Sequence, residues 1–172
     1  MAASILTVTF NPSIDISAVT EIVTSEHKLR CTDTRRDAGG GAVNVGRMLN
    51  RFGADCRALI PAGGVLGLLL RSLLEAEGLA TLTCDISSET RESFTVLECS
   101  SGREFRFVLS GPQFAAAEWQ GCLERVIFTP AAPPRFSRPA QASRIRTIRS
   151  AWRARCTSAG LENLSHRKES HD

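Results

Sequence analysis

Three consecutive glycines lead directly into an amphipathic helical pattern in the run Ala38-Gly39-Gly40-Gly41-Ala42-Val43-Asn44-Val45-Gly46-Arg47. Glycine lets a backbone approach a ligand closely, and a helix start offers unbonded N–H groups and a partial positive charge. A polar or anionic small molecule suits such a start. Asn44, in the first helical turn, adds an amide to the same place. Taken alone, the run reads equally well as a tight turn. A dinucleotide fingerprint fits poorly. Asn44 stands where a third glycine belongs, and no acid follows about 20 residues on.

The flanking pattern gives the fold class. Residues 4–10 read as a buried strand broken by Asn11-Pro12-Ser13. Residues 14–23 and 28–36 alternate loosely and predict strands of a partly exposed sheet. A helix is predicted over 42–53 with Gly53 at its end, then a short buried strand at 55–61 and a turn at Ala62-Gly63-Gly64. A leucine-rich helix over 66–77 closes at Gly78, and a third core strand follows at 79–86. Strands alternating with helices imply an α/β fold on a parallel sheet with right-handed crossovers. Residues 92–99 and 103–109 alternate around Ser100-Ser101-Gly102 and predict an antiparallel hairpin, and 114–126 predict a helix.

The pattern changes near residue 128. Residues 1–128 hold 12 Lys+Arg against 15 Asp+Glu, whereas residues 129–172 hold 9 against 3. Pro130, Pro133, Pro134 and Pro139 open this basic segment, and Arg144, Arg146, Arg149, Arg153 and Arg155 follow at no regular period. It lacks the apolar content for further strands and reads as disordered. Trp152 is the one aromatic among those arginines, and no nucleic-acid module is recognisable, so nucleic acid is not an expected partner. The six cysteines form no CxxC pair and no zinc spacing, and read as small buried residues of a reducing compartment. The first residues lack a basic n-region, and Leu66–Leu74 is too short to span a membrane. A cytoplasmic protein without a membrane partner is the expectation. His27, His166 and His171 read as surface residues.

Several motifs occur together: Thr-Val-Thr-Phe-Asn-Pro-Ser-Ile-Asp (7–15), Lys-Leu-Arg-Cys (28–31), Gly-Gly-Gly-Ala-Val-Asn-Val (39–45), Pro-Ala-Gly-Gly (61–64), Thr-Arg-Glu-Ser-Phe (90–94) and Phe-Arg-Phe-Val (105–108). In this order and spacing, over residues 4–126, the chain resembles the N-terminal half of a ribokinase-like (PfkB) carbohydrate kinase of the minor 6-phosphofructokinase type. The resemblance implies part of an α/β/α sandwich in residues 1–128. It also implies a small β-lid from about 14–36 and 92–109, of the kind that pairs two subunits into a homodimer.

The same resemblance implies a sugar-phosphate substrate such as fructose 6-phosphate. Asp15 would hold its hydroxyls with Ser13 beside it, and Gly39, Gly40, Gly41 and Asn44 would line the pocket. Lys28, Arg30 and Arg91 would meet the phosphate, as cations suit an anion. The family reaction is ATP-dependent formation of fructose 1,6-bisphosphate, a step of glycolysis, with Mg2+ as the implied metal. Related kinases of tagatose 6-phosphate and fructose 1-phosphate usually carry a lysine in the glycine run, where this chain has none. Two departures stand out. Ala42 replaces a usual glycine, and Leu66 stands where a small or hydroxyl residue would serve the N-cap of the second helix.

In this family the catalytic base sits in a Gly-Ala-Gly-Asp motif, which these 172 residues lack, as they lack Gly-Ser-Leu-Pro-Pro-Gly. That absence implies a chain without its own catalytic base or nucleotide site. Residues 129–172 would then be frameshift-derived. A half-sheet also leaves a strand edge and apolar faces open, so low stability and aggregation are expected.

Overall fold

The structure is a computed structural model and describes residues 5–128. The expectations placed on residues 129–172, Cys156, His166 and His171 included, lie outside the described residues. The chain alternates between two sheets. Strand β1 is Ile5–Val8, β2 Ser13–Thr20 and β3 Thr32–Gly39, followed by helix α1 at Gly41–Arg51. Then come β4 at Cys56–Ala62, α2 at Gly64–Ala76, β5 at Thr81–Asp85, β6 at Arg91–Glu98, β7 at Glu104–Val108 and α3 at Ala116–Phe128.

One sheet is three-stranded and parallel in the order β1-β4-β5, and the other is four-stranded in the order β3-β2-β6-β7. Side chains alternate across β4 and so define two layers. Ala58, Ile60 and Ala62 meet Val43 of α1 and Leu70 and Leu74 of α2 in one core that also takes in Ile14 and Ala38 of the second sheet. Leu59 points the other way, where Cys84 and Cys122 join it against Leu6, Phe10, Leu82, Phe114 and Val126. Trp119 of α3 closes that side, 4.5 Å from the Phe10 ring and edge-on to Phe114 at 5.8 Å. The result is an α/β/α sandwich with a β-lid.

The lid binds to the sandwich through its own alternation. Ile14 and Ala38 are paired residues on adjacent strands, both fully buried in the core. Their neighbours Ser13, Asp15 and Gly39 therefore face the opposite side. Strand β6 lies parallel to β2, and β7 returns antiparallel to form the expected hairpin. Both helices α1 and α2 stop where a glycine takes the left-handed conformation, Gly53 at φ 72° and Gly78 at φ 67°.

Several expected boundaries differ. The strand predicted over 4–10 ends at Val8. Thr9 still bonds Leu59 carbonyl at 3.1 Å, but Phe10 turns into the α3 layer. The strand predicted over 28–36 begins only at Thr32 and runs on to Gly39. Lys28 and Arg30 therefore do not share a strand face. The glycine run lies beyond the predicted end of that strand, yet Gly39 pairs with Ser13, so the strand continues to the helix start. Leu66 is not an N-cap position: Gly63 is, and Glu89 from the far loop supplies the acceptor, taking the Leu66 N–H at 2.6 Å. Cys56, Cys84 and Cys122 are buried and Cys99 is partly so, but Cys31 is exposed. His27 is exposed as expected. Among the described residues, no helix is long and apolar enough to cross a membrane.

Candidate functional site

β2 is the central element of the site because it pairs on both sides. Ser13 is in register with Gly39 on β3 and with Arg91 on β6. Asp15 is in register with Asp37 and Ser93. Residues in register point the same way, so the side chains of Ser13, Asp15, Asp37, Arg91 and Ser93 share one lid face with Gly39. Ser13 is buried, and its hydroxyl donates to Asp15 Oδ1 at 2.7 Å. Asp15 is half-buried, which leaves its carboxylate room for further donors.

Gly39 is required by that carboxylate. A Cβ at this position would overlap both oxygens of Asp15. Gly40 has φ 117°, a conformation only glycine adopts without strain, and its would-be Cβ meets Pro12 Cα at 3.1 Å. Together they turn the chain from β3 into α1 within one residue. Nothing lies within 4 Å of a Cβ placed on Gly41, so the first turn of α1 faces open space there. No acidic residue occupies that turn and no side chain caps it. Asn44 N–H donates to Gly40 carbonyl at 3.0 Å, and its side-chain Oδ1 accepts from Arg47 Nη1 at 2.8 Å.

Arg91 donates from Nη1 to Ser93 Oγ at 3.2 Å and from Nη2 to Asn11 carbonyl at 3.5 Å. Its Nε is buried and lacks a hydrogen-bond partner among the described residues. Glu89, its neighbour in sequence, is engaged instead with the start of α2. Ser13, Asp15, Gly39, Gly40, Gly41, Asn44 and Arg91 thus gather where the lid meets α1. Lys28 and Arg30 do not join them. Both are exposed in the segment joining β2 to β3, and Arg30 carbonyl is held by Thr20 Oγ1 at 3.5 Å. Thr20 ends β2, seven steps or roughly 23 Å from Ser13.

Sequence reading missed the supports of this site. Arg47 and Glu77 form an ion pair beneath Asn44. The position of Arg47 three residues after Asn44 was a visible signal, but Glu77 comes from the end of α2. Thr90 is buried, accepting from Gly63 N–H at 3.1 Å while its own N–H donates to Gly63 carbonyl at 3.0 Å. This clamp sets where β6, and hence Arg91, begins.

Comparison with known proteins agrees with this architecture. The model for pfkB family carbohydrate kinases matches residues 8–130. The chain is 42% identical over 122 residues to ATP-dependent 6-phosphofructokinase isozyme 2 of Mycobacterium tuberculosis, covering 71% of this chain and 36% of that one. Among solved structures it is similar to the tetrameric inhibited form of phosphofructokinase-2 from Escherichia coli, with a TM-score of 0.69 at 35% identity over 73% of this chain and 41% of that one. It is also similar to the Escherichia coli enzyme in complex with fructose-6-phosphate, with a TM-score of 0.71 at 28% identity over 92% and 52%. The chain spans 36% of the length of the Mycobacterium tuberculosis relative. On the matched residues, the fold and the motifs that build the site, the chain belongs to the pfkB family of carbohydrate kinases.

Proposed function

We propose that this chain binds a sugar phosphate of the fructose 6-phosphate class between the lid and the start of α1. The observation that carries the reading is the arrangement around Asp15. A half-buried carboxylate is held by Ser13 Oγ at 2.7 Å and backed by a glycine that no other residue could replace. Such a carboxylate accepts from two sugar hydroxyls at once, and each charge-assisted bond is stronger than a neutral one. Gly40 and Gly41 let the sugar approach the backbone, and Asn44 adds an amide. Arg91 brings a cation with an unused buried Nε donor, a group that gains most from an anionic partner. A similar protein has been solved with fructose-6-phosphate. Lys28 and Arg30 are proposed for the phosphate only on the resemblance, since they lie apart from Asp15 within one chain.

The family reaction needs ATP and a cation such as Mg2+. Among the described residues, no three His, Cys, Asp or Glu side chains come together to hold a metal ion. The sequence contains no Gly-Ala-Gly-Asp to supply a base. We assign the binding of the sugar phosphate to these residues and assign no transfer step to them. The test is a coupled assay of the purified chain with ATP, magnesium and fructose 6-phosphate beside Asp15→Ala. No turnover, with fructose 6-phosphate binding lost only in the variant, is the expected result. Turnover that disappears in Asp15→Ala would overturn the assignment.

The other lid face supports a second feature of the reading, a homodimer. Phe94 is in register with Phe107, and Val96 with Phe105, so four apolar side chains share that face. Phe107 is 56% exposed. An apolar stripe of this kind is stabilised by meeting its own copy across a two-fold axis. Light scattering after size exclusion should give twice the chain mass, and Phe107→Glu should give the monomer.

A further inference from the structure

Arg91 is the first residue of β6, and residues 86–90 before it carry the chain from the end of β5 in one sheet to the lid. The place of Arg91 depends on how that crossing is held, and the start of α2 holds it. Thr90, 1% exposed, accepts the Gly63 N–H at 3.1 Å and donates its own N–H to Gly63 carbonyl at 3.0 Å. Glu89 accepts the Leu66 N–H at 2.6 Å. Glycine permits this close approach. A Cβ on Gly63 would overlap the carbonyls of Ile86 and Ser88, and one on Gly64 would overlap the Glu89 carboxylate.

The contact serves both partners. α2 has no side-chain cap at Gly63 and no acid in its first turn, so the helix start brings no side-chain acceptor of its own. Glu89 supplies one from the crossing. The Arg91 guanidinium in turn reaches along β6 and across to the residues before β2. Nη1 donates to Ser93 Oγ at 3.2 Å and Nη2 to Asn11 carbonyl at 3.5 Å. Both bonds are long, so the backbone at the start of β6 decides the place of the guanidinium more than they do.

We propose that Glu89 is a positioning residue for Arg91: with Thr90 it fastens the start of β6 to the start of α2, and so fixes where the guanidinium stands beside β2. This rests on the sugar-phosphate reading given above. A cation held in place before the ligand arrives binds an anion with less ordering cost. Glu89 acts through Arg91 and does not itself touch the ligand.

In the full chain, Glu89→Ala should weaken fructose 6-phosphate binding about threefold or more, within the range for residues of one hydrogen-bond network. Glu89→Gln keeps an oxygen that accepts the Leu66 N–H and should bind as the parent does. A loss in Glu89→Gln as large as in Glu89→Ala would contradict the proposal. Val65→Asp, added to Glu89→Ala, separates positioning from capping. Val65 is 75% exposed in the first turn of α2, where an acid is favourable, but an aspartate there does not tie β6. The melting temperature should rise while the affinity stays at the Glu89→Ala value. Return of the affinity together with the stability would reduce Glu89 to a cap and overturn the proposal.

A second readout needs no ligand. The Arg91 Nε–H is buried, so its nitrogen-15 NMR signal is protected from exchange with water. Its absence in Arg91→Lys assigns it. The signal should shift in Glu89→Ala, stay shifted when Val65→Asp is added, and keep its place in Glu89→Gln. An unmoved signal in Glu89→Ala overturns the positioning role. If the parent chain does not bind fructose 6-phosphate but the signal moves in this way, the functional reading fails and the positioning of Arg91 by Glu89 stands.

Discussion

Gly39 lies so close against the Asp15 carboxylate that the space for a Cβ is already filled by the carboxylate oxygens. The two residues sit diagonally on paired strands, with Ser13 directly opposite Gly39. The glycine is therefore a fitting of the site as much as of the turn. Replacing it with alanine must displace either Asp15 or the start of α1.

Gly39→Ala should lose fructose 6-phosphate binding in calorimetry. Overpacking of a buried position costs about 1–3 kcal/mol, so the urea midpoint should fall as well. Binding equal to that of the parent would mean that Asp15 does not hold the sugar.

The start of α2 is capped from a distance. Glu89 accepts the Leu66 N–H at 2.6 Å, in place of a serine or aspartate at the cap position itself. Glu89→Ala should lower stability by about 0.5–2 kcal/mol, the range for a lost N-terminal cap. Chemical denaturation followed by circular dichroism measures this directly.

Acid should loosen the lid and α3 together. Ser101 hydroxyl and Val23 N–H hold the Glu98 carboxyl below the usual glutamate range. Ala115 and Ser87 N–H groups do the same for Glu118. Both groups bind a proton more weakly folded than unfolded, so their stabilisation is complete above the unfolded value of about 4.3. It is lost as pH falls through the lower folded values. Melting temperatures should therefore drop steeply below about pH 4, and Glu98→Gln with Glu118→Gln should flatten that slope while lowering stability at neutral pH.

Thiol reactivity should sort the cysteines by position. Burial, reinforced by the neighbouring Cys84, pushes the Cys122 thiol up to about 12, and burial raises Cys56. Only the thiolate reacts with alkylating reagents. At pH 8 the exposed Cys31 should be labelled first, and Cys56, Cys84 and Cys122 only on unfolding. Mass spectrometry after brief alkylation gives the order.

The α/β order, the hairpin and the two glycine helix stops were legible because each rests on local chemistry: alternation, helical period and left-handed glycine. The strand through Ala38-Gly39 was not. Its pairing with Ile14 and Ser13 is a contact made across the sheet, which overrides the turn preference of glycine. Asp15, Ser13, Gly40 and Asn44 were readable from their motif. Arg47 with Glu77, and Glu89 with Leu66, were not, because each pair joins residues more than 20 positions apart. The separation of Lys28 and Arg30 from Asp15 was hidden for the same reason: adjacency in a motif list says nothing of which end of β2 a loop follows. Among the described residues β1 pairs with β4 alone, and Ile127 and Phe128 of α3 are exposed.

The most direct test of the central claim is a titration of the nitrogen-15-labelled chain with fructose 6-phosphate, observed by backbone amide shifts. Saturable shifts should centre on Ser13, Asp15, Gly39, Gly40, Gly41, Asn44 and Arg91, and vanish in Asp15→Ala. Shifts absent from this group, or unchanged in Asp15→Ala, would contradict a sugar-phosphate site between the lid and α1.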